Sequence, residues 1–136
     1  MKALLLAFMT LILAAVPVSA STPQGEYERA VAIVAQFKED LPVAIQEWQA
    51  DSLQKPLVES TITHAMAQLE DVVVDDCFAE WYAFQYASVF TIYMFFYNAE
   101  SADILNQPSD GFLKPAVAMT QMAGTMSPKC EGAPDV

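Results

Sequence analysis

Residues 78–97 read FAEWYAFQYASVFTIYMFFY, and ten of these twenty positions are Phe, Trp or Tyr. Ala79, Ala83, Ala87, Val89, Ile92 and Met94 are also apolar, and Glu80 carries the only charge. Apolar side chains fall on every side of a helix drawn through this stretch. That predicts a helix over about 77–98, buried nearly all round, against which other helices pack. Ala83, Ala87 and Ser88 or Thr91 form a small-residue seam where a neighbour can approach closely. The donors of Trp81, Tyr82, Tyr86, Tyr93 and Tyr97 each need an acceptor if buried, so some point to an edge or into a pocket. A membrane span needs about twenty such residues. Glu80 and Gln85 inside the stretch, tyrosines through its middle and acidic flanks without a basic cluster argue against one.

The start of the chain predicts export. Lys2 precedes a short apolar run, and Val18-Ser19-Ala20 places small residues where a signal peptidase cuts. Residues 1–20 are read as a cleaved leader and 21–136 as one helical domain with a polar C-terminal tail. No cysteine follows the apolar run, so no lipid anchor is indicated. The expected address is the periplasm or the medium. In that oxidising setting Cys77 and Cys130 predict a disulfide. No Cys-x-x-Cys is present, which argues against thiol redox chemistry.

Without Lys2, five basic residues face seventeen acids. Such a chain repels nucleic acid and anionic lipid and attracts a cation or a basic protein. Solubility alone also accounts for a surplus of acid.

Helical periodicity covers most of the remaining chain. Thr22 and Pro23 suit a helix start. Tyr27, Ala30, Val31, Val34, Phe37 and Leu41 then form one buried stripe, with Glu26, Glu28 and Arg29 on the wet side. Pro42 ends or kinks this helix, and 43–50 is a short second helix or a continuation. A third helix is expected over about 57–74, weakened by the Val72-Val73-Val74 run, for which a strand is the alternative. Asp75 and Asp76 are placed to cap the aromatic helix. A polar connection with a helical turn at 102–105 leads to a last helix over 115–126. The apolar set of that helix is Val117, Ala118, Met119, Met122, Ala123 and Met126. The fold class is therefore all-α, a small bundle of four to five helices around the aromatic one, with one disulfide.

Candidate chemistry is sparse. Glu70, Asp71, Asp75, Asp76 and Glu80 crowd five acids into eleven positions. They lack the spacing and turn glycine of a calcium loop. They read as helix-end and solvated residues, or as a contact for a basic protein partner. Trp81, Tyr82, Tyr86 and Tyr93 are candidates to line a pocket for a small apolar ligand or haem, although no Cys-x-x-Cys-His attachment site is present. Met119, Met122 and Met126, with His64, are candidate Cu(I) ligands; adaptable core packing explains the same methionines. Neither Gly-x-Ser-x-Gly, His-Glu-x-x-His nor a phosphate-binding glycine loop occurs, and a single histidine limits triads. The expectation is a non-catalytic binding protein without a cofactor, engaging a basic partner as an inhibitor or immunity protein does.

Overall fold

The computed structural model describes residues 22–101 and 113–130. The predicted leader, the turn at 102–105 and the end of the tail lie outside them. Among the described residues there are four α-helices and no strand: α1 Pro23–Ala50, α2 Lys55–Glu70, α3 Ala79–Asn98 and α4 Leu113–Gly124, with a single 3-10 turn at Ser52–Gln54. The all-α class and the aromatic helix stand as predicted.

Thr22 caps α1, its Oγ1 accepting from the Gly25 N–H at 2.9 Å, and Pro23 occupies the first turn. A Cβ on Gly25 would lie 3.0 Å from that oxygen, so glycine leaves the cap its room. The helix does not stop at Pro42; it runs on to Ala50 as one 28-residue element. Proline costs a helix one N–H, the one that would reach the Lys38 carbonyl. Burial of Ala44 and Trp48 beyond it outweighs that loss. The buried face is Ala30, Ile33, Val34, Phe37, Ala44 and Trp48. Val31, expected inside, is exposed, and Ile33 takes its place.

Helix α2 buries Val58, Ile62, Ala65 and Leu69 along a single stripe. It ends at Glu70 and not at Val74, because the three valines disfavour helix and the chain tightens there. Asp71 and Val72 donate their N–H groups to Gln68 and Leu69 carbonyls at 3.2 and 3.1 Å. The valines do not form a strand either: Val72 enters the core, while Val73 and Val74 stay outside it. Glu26, predicted to face water, is only 6 % exposed. Its Oε2 accepts from the Val73 N–H at 3.1 Å, which fixes the start of the link to α3 against the start of α1.

The aromatic helix α3 is not buried all round. Trp81, Gln85, Ser88, Val89, Phe95 and Phe96 face inward. Phe90 and Tyr97, at 46 % and 57 % exposure, face out together with Met94. Asp75 and Asp76 do not cap it either. Phe78 precedes the first turn without a side-chain cap, and Asp75 instead accepts the Cys77 N–H on Oδ2 at 3.0 Å.

Ring contacts set the helix directions. Tyr27, near the start of α1, meets Trp81 edge-on with centroids 5.1 Å apart; Trp48, near its end, meets Phe96 at 6.0 Å. Helices α1 and α3 therefore run parallel. At the start of α1, Arg29 reaches Asp71 just past α2, so α2 runs back. The disulfide between Cys77, before α3, and Cys130, after α4, has its Cα atoms 5.3 Å apart and makes α4 antiparallel to α3. The order is up-down-up-down. Of the small-residue seam, Ser88 is where α4 comes close: Oγ lies 2.9 Å from the Ala116 carbonyl, to which it donates, and 2.8 Å from Thr120 Oγ1. Helix α4 buries Ala116 and Ala123, whereas Val117 and Met122 of its predicted apolar set are exposed. No described helix is long and apolar enough to cross a membrane.

Candidate functional site

The five predicted acids separate into different roles. Asp71 Oδ2 pairs with Arg29 Nη2 at 2.7 Å, and that hydrogen bond holds the guanidinium pKa above its ordinary value. Glu70 Oε1 accepts from the Tyr86 hydroxyl at 2.6 Å. Asp75 closes the turn before α3. Asp76 and Glu80, one helical turn apart and both exposed, make no ion pair or side-chain hydrogen bond within the described residues. They border an open groove of about 320 Å³ beside the disulfide. Its apolar lining includes Phe78, Trp81, Met126 and Pro128. The groove thus sets two carboxylates beside the half-buried Met126 and Pro128, with Phe78 and Trp81 buried beneath.

The tyrosines of α3 act mainly as anchors. Tyr82 donates to the Leu69 carbonyl at 2.5 Å and stacks on Tyr86 with centroids 6.1 Å apart. Both phenols thereby tie α3 to the end of α2. Donation to the Glu70 carboxylate, aided by burial, pushes the Tyr86 pKa up to about 12. Burial, then the nearby Glu70 charge, raises that of Tyr82. Tyr93 packs against Tyr97 and Phe90 on the outer side. Of the four predicted pocket residues, Trp81 alone lines the acid-bordered groove.

His64 is exposed and lines a groove between α1 and α2, to which no methionine contributes. Met119 is half-buried on α4, Met122 is exposed and Met126 packs against the core beyond the helix end. The structure does not gather His64 with the three methionines. Among the described residues no group of three or more His, Cys, Asp or Glu side chains is set to hold a metal ion.

Sequence reasoning missed a cleft of about 180 Å³ where α1, α3 and α4 meet. Its walls include Val34, Phe37, Leu41, Val89 and Ile92, and Gln85 lines it with 5 % of its surface exposed. The signal was available: Gln85 is the one carboxamide in the aromatic stretch, and it sits one turn before Ser88, the hydroxyl that meets α4. No protein family, curated protein or solved structure matches the chain.

Proposed function

We propose that the chain is exported, loses residues 1–20, and acts outside the cytoplasm as a non-catalytic protein that binds a basic protein partner, in the manner of an inhibitor or immunity protein. The observation that carries this reading is the pair of unpaired carboxylates, Asp76 and Glu80, bordering a groove with an aromatic and aliphatic floor. A lysine or arginine of the partner would lay its stem along the half-buried Met126 and Pro128, its charge held by the two acids. The surrounding charge supports encounter: the chain carries seventeen acids, and each described ion pair draws on Arg29 or Lys55. The Cys77–Cys130 bond supports an oxidising compartment.

An oligolysine peptide tests the groove directly. Titrated into isotope-labelled protein at low salt, it should shift the resonances of Asp76, Glu80 and the Trp81 indole. The shifts should weaken as salt is added. The double substitution Asp76→Asn and Glu80→Gln should lower the affinity about tenfold or more, since each lost carboxylate contact is worth on the order of 1 kcal/mol. Equal binding by the double variant, with shifts spread evenly over Glu39, Asp40 and Glu47, would show that net charge and not this groove draws the peptide.

A further inference from the structure

The cleft between α1, α3 and α4 is a separate place from the acid-bordered groove, and it contains an unusual group. Gln85 is 5 % exposed, yet its side-chain amide makes no hydrogen bond within the described residues. Among the described residues no side-chain nitrogen or oxygen is wholly sealed from solvent without a partner. The amide therefore retains a small accessible surface, and the cleft is the space that Gln85 lines. A carboxamide can give two N–H bonds and accept two at its oxygen. Holding one in an apolar site with none of these made opposes folding.

The neighbouring polar groups do not answer it. Ser88 and Thr120 are engaged with one another and with the Ala116 carbonyl, at 2.8 to 3.1 Å. Lys38, Ser88 and Thr120 also line the cleft, but a water held there would set most of its surface against Val34, Phe37, Leu41, Val89 and Ile92, and a well-held internal water makes about three bonds. A better match is a molecule that brings an apolar body for the walls together with an adjacent donor and acceptor for the amide. At about 180 Å³ the space is close to the roughly 150 Å³ apolar cavity known to hold benzene, so the body is one ring in size. Lys38 also lines the cleft, so a neutral edge is chosen over a carboxylate on the charge of the whole chain, seventeen acids against six bases, which disfavours an anion.

We propose that this cleft binds a small neutral molecule, about one ring in size, whose carboxamide or lactam edge is read by Gln85. Its N–H would donate to the Gln85 carbonyl oxygen and its C=O would accept from the Gln85 NH₂, while the ring displaces water from the apolar walls. The site does not depend on the basic-partner reading and lies among different residues.

Benzamide, benzoate and toluene serve as probes on the full mature protein, followed through the Gln85 side-chain NH₂ resonances. Benzamide should bind saturably with a dissociation constant below about 1 mM, as fits a ligand of so few atoms. Toluene and benzoate should each bind at least several-fold more weakly. Gln85→Met keeps the volume and removes the amide: benzamide affinity should fall about tenfold, toluene binding should persist, and the free protein should melt at a higher temperature. That last readout separates a binding role from a structural one, since a supporting Gln85 would lower the melting temperature when replaced. Ile92→Phe, which fills the space and leaves Gln85 alone, should weaken benzamide and toluene alike. Unsaturable benzamide binding, tighter binding of benzoate, or unchanged benzamide affinity in either variant would overturn the proposal.

Discussion

The Tyr86 hydroxyl and the Glu70 carboxylate form a hydrogen bond of 2.6 Å that only the protonated phenol can make. Its pKa stands near 12, against about 10 for a free tyrosine. The folded protein therefore holds this proton over a range where the unfolded chain releases it. The stabilisation is fully present below about pH 10 and is lost as pH rises through about 12. Ultraviolet titration should show late phenol ionisation, shared by Tyr86 and the also raised Tyr82, and Tyr86→Phe should reduce its amplitude by one phenol. The variant should also flatten the fall in stability between pH 10 and 12. A late step of undiminished amplitude in Tyr86→Phe would assign the bond's effect elsewhere. Such pairings were only half legible from sequence. That buried tyrosines need acceptors follows from chemistry; that Glu70 and the Leu69 carbonyl supply them depends on where α2 ends. Glu26 shows the limit more sharply. A carboxylate in a first helical turn suits water and the helix dipole equally well. What buries it is the Val73 amide, forty-seven positions away.

At the scale of elements, periodicity located each helix, and the errors fall where long-range packing overrides local preference. Proline in α1 is such a case, since Ala44 and Trp48 gain more by burial than Pro42 costs. The composition of α3 suggested burial on every side, yet a helix in a four-helix bundle shows one face to solvent. Phe90, Met94 and Tyr97 occupy it. The small-residue seam was the more informative signal, because it marks close approach and not mere hydrophobicity. Ser88 is 3 % exposed and lies against α4, where Ala116 is also buried. Ser88→Leu should force the two helices apart and cost about 1–3 kcal/mol in urea unfolding, whereas Ser88→Ala should cost about 1 kcal/mol for the hydrogen bonds alone. If both substitutions cost the same, the contact is not close packed. The sequence placed Ser88 in the seam but could not say which helix it met, nor that Gln85 beside it would lie unpaired at a cleft.

Across the whole molecule, one covalent link and one excess of charge act against each other. The disulfide joins the residue before Phe78 to the tail after α4, and so holds the α3–α4 pair within a closed loop spanning 53 positions. On the chain-entropy account a loop of that length contributes about 4 kcal/mol by restricting the unfolded state. For a domain of this size, with a total stability of roughly 5–15 kcal/mol, that is a large share. The surplus of acid opposes compaction by self-repulsion, more strongly at low ionic strength. Pairing of two cysteines was legible in advance; which helices the bond would clamp was not, because that depends on the up-down order of the bundle. The double substitution Cys77→Ser and Cys130→Ser should therefore lower the urea midpoint by an amount corresponding to about 4 kcal/mol, and wild type in reductant should match it. Added sodium chloride should raise both midpoints, because screening relieves repulsion that is present with or without the link. A variant as stable as oxidised wild type would mean that α4 is held by Ala116, Ala123 and the Ser88 contacts alone, and that the entropic share assigned to the bond is offset within the folded chain.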